Sequence, residues 1–182
     1  MKTKFSINTM FIVLAIMFSF SVHTLAQTTA PKIEVKDIAA QKALVIKITV
    51  TSSAIGQKMG ELYGKLFTYM GANNLQIAGA PFAIYYSYDP KGNTEFEAGV
   101  PISASATGND EVKYKEIPAM KVISSLHVGS YDSTGPVYEA ITKYAKDNKL
   151  ETQSATWEVY LTDPNTEKDP TKYKTLIYFV VK

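Results

Sequence analysis

Val35-Lys36-Asp37-Ile38-Ala39-Ala40-Gln41-Lys42 reads almost position for position against Tyr114-Lys115-Glu116-Ile117-Pro118-Ala119-Met120-Lys121. A second pair of matching stretches lies further along. Leu75 through Tyr86-Ser87-Tyr88-Asp89-Pro90 runs parallel to Leu150 through Tyr160-Leu161-Thr162-Asp163-Pro164, at nearly the same distance from each starting motif. Agreement at both ends marks an internal duplication, with repeat one at about 33–106 and repeat two at about 111–182. The polar, turn-forming Thr107-Gly108-Asn109-Asp110 joins them as a connection within one fused domain.

Within each repeat the apolar period changes in the same order. Leu44, Ile46, Ile48 and Val50 alternate with Val45, Lys47 and Thr49, the pattern of a strand with one face in a core. Ser52-Ser53 then marks a helix start, and Ile55, Met59, Leu62, Leu66 and Met70 recur at helical spacing until Gly71, which is expected to supply a left-handed stop. In the second repeat Thr134 or Gly135 can cap, and Pro136 suits the first turn. Val137, Ala140, Ile141, Tyr144 and Ala145 form the stripe, and Asn148 ends it. Two strand candidates follow each helix, 80–88 with 95–102 and 154–162 with 173–182, each pair parted by an Asp-Pro turn. The expected fold is α+β: tandem duplicated β-α-β-β repeats forming one mainly antiparallel sheet, with two helices on one face and a cleft between them.

The 182 residues are 46% apolar and 20% charged, an ordinary globular balance. Lys2 and Lys4 precede an apolar run from Met10 to Phe20, and Thr24-Leu25-Ala26 offers a small-x-small cleavage site, so residues 1–26 are expected to be a signal peptide. The run is shorter than the roughly 20 residues that span a bilayer, so no stable membrane insertion is expected after cleavage. Residues 27–182 would then work outside the cytoplasm, periplasmic or secreted. The chain has no cysteine to carry a lipid anchor or a disulfide, which leaves stability to the core. Removing the leader leaves 17 basic against 17 acidic residues, a formal charge of zero, and nucleic acid is not an expected partner.

Three segments resemble the GyrI-like family, the small-molecule effector-binding domain also found fused to AraC-type and MerR-type transcription activators. They are His127-Val128-Gly129-Ser130-Tyr131, Trp157-Glu158-Val159-Tyr160-Leu161-Thr162-Asp163-Pro164 and Thr175-Leu176-Ile177-Tyr178-Phe179-Val180-Val181, within a likeness from about Ile33 to Lys182. The family usually has proline where Ser130 stands. The resemblance implies a duplicated β-α-β-β fold whose inter-helix cleft takes small molecules, often aromatic or cationic, with Glu158 on its floor. No helix-turn-helix pattern accompanies the match, so a transcriptional role is not expected.

Glu158 is the residue on which the functional reading turns. Strand periodicity alone allows its side chain to face either the helices or solvent with Trp157 and Val159 in the core, and the family likeness favours the helix side. A carboxylate there must be hydrogen-bonded, protonated or matched by a ligand cation. Tyr86 and Tyr88 share the parity of Glu158 and Tyr160, and Tyr178 on the last strand could join them in an aromatic wall suited to flat or cationic ligands. Gly56, Gly60 and Gly64 recur every fourth residue of the first helix although each costs about 1 kcal/mol relative to alanine, and close approach of another backbone is the more common reason for such a stripe. The alternative is open volume along a cleft wall. His127 is the only histidine after residue 26, which supports no metal cluster and no serine triad, and a structural role at a strand end is expected. Lys47, Lys113, Lys115 and Lys121 read as solvated charge. No metal or other cofactor is expected, and the sequence does not set an oligomeric state.

Three functions follow from this reading. The first is an exported small-molecule-binding protein with Glu158 as electrostatic anchor. The second is a hydrolase of strained or electrophilic small molecules, resembling family members that hydrolyse cyclopropane-containing compounds, with Glu158 as general base and Tyr160 steadying charge. The third is a protein-interaction domain whose cleft is filled by its own side chains and whose bare sheet face is the working surface.

Overall fold

The structure, a computed structural model, describes residues 30–182; the expected signal peptide lies outside the described residues. Eight strands and two long helices follow in the order β1 (Ile33–Ile38), β2 (Gln41–Thr51), α1 (Ile55–Ala72), β3 (Phe82–Ser87), β4 (Asn93–Ile102), β5 (Lys113–Ile117), β6 (Met120–Val128), α2 (Gly135–Asp147), β7 (Thr152–Tyr160) and β8 (Lys174–Val181). All pair into one antiparallel, curled sheet in the order β1-β6-β8-β7-β3-β4-β2-β5. The two repeats meet at the central pair β3–β7, where Ala83 stands directly opposite Glu158.

The α+β architecture agrees with the sequence expectation, with one addition. Each repeat begins with a short strand, and that strand does not fold back on its successor. β1 pairs with β6 of the second repeat, and β5 pairs with β2 of the first. The two-residue links Ala39-Ala40 and Pro118-Ala119 lack the Asn-Gly or Gly-x residues that a two-residue hairpin needs, so each arm runs on to the other half. This exchange stitches the repeats into one unit.

Both helices lie on the same side of the sheet. Leu62, Leu66 and Met70 of α1 pack on Leu44, Ile46, Phe96, Ala98 and Val100, while Val137, Ile141 and Ala145 of α2 pack on Ile123, Ile177 and Phe179. The far face is not bare. Curling of the sheet brings Phe82 and Trp157 into a stack with centroids 5.1 Å apart, joined by Ala43, Val45, Ile84, Val122, Tyr178 and Val180. The central strands are therefore covered on both sides, β7 giving Trp157 and Val159 to the far core and Thr156, Glu158 and Tyr160 to the helix side.

Two local details depart from expectation. Gly71 remains inside α1, and the left-handed position after that helix is taken by Asn74, at φ 53°. Asparagine tolerates this conformation because its short side chain can bond locally. Gly129, at φ 143°, does need to be glycine, since a Cβ there would also crowd Ser133 and His127. It turns the chain out of β6 into the short 3-10 turn Tyr131–Ser133 that places Tyr131 over the cleft.

Candidate functional site, a tyrosine-walled cleft with a buried carboxylate

Helices α1 and α2 stand apart over the central pair β3–β7, leaving a cleft of about 1900 Å³. Its floor follows from the strand pleat. Trp157 and Val159 turn to the far core, so Glu158 and Tyr160 turn to the helices. Glu158 is only 7% exposed. Tyr138 of α2 donates a hydrogen bond to its Oε1 at 2.9 Å, and Tyr160 donates to Oε2 at 2.9 Å. The Tyr85 hydroxyl of β3 lies 3.3 Å from that of Tyr160, and Tyr63 of α1 donates to the Phe82 carbonyl oxygen at 2.8 Å. The Tyr160 ring meets Tyr63 and Tyr131 edge-on, at 6.3 and 5.4 Å between centroids.

The electrostatics follow from this enclosure. Burial raises the Glu158 carboxyl above its ordinary value; hydrogen bonds from Tyr138, Tyr160 and Tyr85 oppose the rise, and attraction to His127 opposes it further. Burial also raises the hydroxyls of Tyr138, Tyr85 and Tyr160, reinforced by the negative charge of Glu158, so they remain proton donors. None of the salt bridges among the described residues involves Glu158. Among the described residues, the cleft lining contains Asp132, Glu139, Glu158 and Asp163 and no lysine, arginine or histidine. A cation entering it would therefore find a carboxylate held by neutral donors and aromatic faces, without a competing positive side chain.

Of the residues expected to form the site, Glu158 and Tyr160 lie together on the floor, and Tyr88, 65% exposed, lies at the mouth. Tyr86 reaches the rim but belongs mainly to the other side. Its ring lies under the Lys47 ammonium at 4.2 Å, and its hydroxyl accepts from Lys115, which also pairs with buried Glu97 at 2.7 Å. The cause is the pairing of β3 with β7: Ala83 stands opposite Glu158 and Tyr85 opposite Thr156, so the odd-numbered residues of β3 share the face of Glu158 and Tyr85 takes the inward place. Lys47 and Lys115 thus hold Tyr86, a role their reading as solvated charge did not include. Tyr178 is a correction. It stands opposite Trp157 on the far face, outside the cleft, with Lys36 5.0 Å above its ring.

Sequence reasoning missed Tyr63, Tyr85, Tyr131 and Tyr138. A signal was present in the duplication: Tyr63 and Tyr138 each follow the buried residue, Leu62 or Val137, that anchors its helix, and Tyr85 and Tyr160 hold matching places in β3 and β7. The expected tight packing at the glycine stripe is overturned. A Cβ at Gly56, Gly60 or Gly64 would meet nothing within 4 Å, and all three line the cleft. The stripe leaves open volume. His127, buried near the end of β6, has Nε2 2.9 Å from the Ser130 carbonyl oxygen and 3.1 Å from Ser133 Oγ, which ties the strand end to the turn carrying Tyr131.

The same architecture occurs in solved structures. The C-terminal domain of EcmrR superposes with a TM-score of 0.73 at 20% identity, covering 85% of this chain and 99% of that domain. In the cryo-EM structure of EcmrR with DNA the TM-score is 0.76, again at 20% identity, over 84% of this chain; the chain spans 58% of the length of that regulator. A hydrolase from Listeria innocua gives 0.62 at 12% identity, covering 84% of this chain and 94% of that one. SAV2435, solved bound to tetraphenylphosphonium, gives 0.56 at 12% identity, covering 83% and 94%. At these identities the likeness is one of fold. No curated protein sequence matches the chain. The model of the GyrI-like small molecule binding domain matches residues 31–182, nearly all of the described chain with both repeats and the whole cleft, and the chain belongs to that family.

Proposed function

We propose that this protein is exported and captures an aromatic organic cation, holding the cation against Glu158 and the surrounding tyrosine rings. One observation carries the reading: a carboxylate 7% exposed at the floor of an open cleft, satisfied by neutral phenols, in a lining that has no basic side chain among the described residues. Desolvation leaves that carboxylate short of solvation, and a bound cation supplies the missing opposite charge while tyrosine faces add cation–π attraction. SAV2435, bound to tetraphenylphosphonium on the same fold, supports this choice of ligand class.

The test is calorimetric titration with tetraphenylphosphonium and with neutral triphenylphosphine oxide. The wild-type protein is expected to prefer the cation, and Glu158→Gln is expected to lose about tenfold or more of that affinity while its binding of the oxide changes little. Equal cation affinity in the two proteins would remove Glu158 from the site.

A second reading, hydrolysis with Glu158 as general base, is favoured by the raised carboxyl and by the Listeria innocua hydrolase of the same fold. Both Glu158 oxygens accept from tyrosines, yet a carboxylate has further lone pairs for a water. Product formation from a cyclopropane-bearing electrophile, abolished in Glu158→Gln, would establish it. The open cleft and the far sheet face packed with Phe82, Trp157 and Tyr178 favour these two readings over an interaction domain.

A further inference from the structure

The two edges of the sheet differ in what they offer a second strand. Among the described residues β1 pairs only with β6 and β5 only with β2, so each has one side of its backbone turned away from the sheet. Such an edge is a template for another strand, and lysines along it oppose the addition. β5 is closed in this way. It is five residues long with Lys115 at its centre, so a second copy added antiparallel about that centre would set lysine against lysine. β1 carries the reverse pattern. Ile33-Glu34-Val35-Lys36-Asp37-Ile38 has opposite charges on either side of a valine, and Val35 is 43% exposed.

Regular antiparallel pairing sets side chains of the same face opposite one another, so a two-fold axis between two β1 strands falls on a residue. At Val35 the axis sets Glu34 of each copy against Lys36 of the other. Moved to Glu34, it sets the two glutamates together and Lys32 against Lys36; moved to Lys36, it sets the two lysines together. The charges therefore select one of the three central registers. Both matched side chains lie on the face of the sheet away from the helices, Glu34 opposite Ser124 and Lys36 opposite Val122, while Val35 lies on the helix face opposite Ile123. We propose that the protein forms a reversible two-fold dimer in which β1 of one copy adds antiparallel to β1 of the other, with Val35 at the axis. Two Glu34–Lys36 pairs fix the register, and the two Val35 side chains cover each other. The sheet then runs on from one copy into the next, with both clefts on the same side. One strand pair is a small interface, which makes the association weak. The proposal is independent of what the cleft binds.

The experiment is sedimentation velocity across a concentration series from about 1 to 500 µM. The wild-type protein is expected to pass from monomer to dimer, half-associated at on the order of 10 to 100 µM. Lys36→Glu and Glu34→Lys each turn both matched pairs into like charges, and each is expected to weaken the dimer about tenfold or more. An equal mixture of the two variants faces opposite charges again and is expected to associate within about threefold of the wild type. Lys113→Glu, on β5, is expected to leave the dimer unchanged within about twofold. A wild-type protein that stays monomeric over the whole series would overturn the proposal, as would a dimer that either β1 variant leaves untouched. So would a mixture that associates no better than its components, or an equal loss in Lys113→Glu. Assembly that grows past the dimer would place β1 against β5 of the next copy and overturn the two-fold pairing as well.

Discussion

The two halves of the molecule are the same scaffold with different contents. On the helix side of the first half, one row across the sheet is Ala83, Ala98 and Ile46, and the next is Tyr85, Phe96 and Ile48. The matching rows of the second half are Glu158, Ile177 and Ser125, then Tyr160, Thr175 and His127. Four apolar places have become polar in one half. The two halves share the paired helices, the central strands and the matched tyrosines, and only the second half carries the buried carboxylate. The reason lies in the register. Ala83 and Glu158 face each other across the central pair, where opposed Cβ atoms lie about 4.5 to 5.5 Å apart. A carboxylate in both places would set two like charges together in a desolvated floor, so the symmetrical arrangement is the unstable one.

The largest expected effect comes from restoring that symmetry. Ala83→Glu places a second acid beside Glu158 without a counter-charge, and a loss of about 3 to 5 kcal/mol in chemical denaturation at pH 7 is expected. The pH dependence has a definite sign. Burial raises the Glu158 carboxyl in the folded state, so the stability tied to its proton is fully present below the ordinary carboxylate range and is lost as pH rises through the folded value. The contribution of Glu158, read as the difference between the wild type and Glu158→Gln, should therefore fall as pH climbs above about 4.5, and Ala83→Glu should weaken more steeply than the wild type. Equal stability of the variant and the wild type at pH 7 would mean that the two positions do not share a dry floor.

A smaller effect sharpens the contrast between the helices. Tyr138 and Tyr63 hold equivalent places on α2 and α1, yet the first donates to a carboxylate and the second to the backbone carbonyl of Phe82. Hydrogen bonds to charged groups are worth more than neutral ones. Tyr138→Phe is expected to lose about 1.5 to 3 kcal/mol and Tyr63→Phe about 0.5 to 1.5 kcal/mol at neutral pH. At pH 4, with Glu158 protonated, the two losses should converge. Losses that stay unequal by the same margin at both pH values would show that the carboxylate charge is not what separates them.

Much of the fold was legible in the sequence because its signals are local. Alternation at Leu44, Ile46, Ile48 and Val50, helical spacing in both stripes and the matched Asp-Pro turns give the repeated unit directly. The arms β1 and β5 lie within the repeated motif but carry no strand signal of their own. They are five or six residues long and only partly buried, and their partners lie in the other half of the chain. The site was less legible for related reasons. β7 alternates Ser154, Thr156, Glu158 and Tyr160 with Ala155, Trp157 and Val159, a pattern that suits a solvent face as well as a polar cleft floor, so periodicity could not orient Glu158, and only the family likeness did. Matching Tyr86 with Tyr160 sets β3 one residue out of step with its true pairing, Ala83 opposite Glu158, and two adjacent tyrosines in that strand do not announce which of them faces in. The glycine stripe gives the same sequence signal whether a backbone or a void lies opposite it.

The smallest expected effect tests the face assignment itself. Tyr178 has the family motif around it and an aromatic ring beside the strand of Glu158, yet its register partner is Trp157, whose side chain belongs to the far core. Tyr178→Phe keeps the ring under Lys36 and removes a hydroxyl on the side of the sheet away from the cleft. Its effect on stability should stay within about 0.5 kcal/mol, and the tetraphenylphosphonium Kd should remain within about twofold of wild type. Tyr160→Phe removes a donor from Glu158 itself, which leaves its charge less well held before a ligand arrives and shifts cation affinity measurably. The pair of variants thus differs only in which side of one sheet loses an oxygen. If Tyr178→Phe changed cation affinity as much as Tyr160→Phe, the ligand would have to sense both faces, and a cleft bounded by α1, α2 and the central strands could not be the whole site.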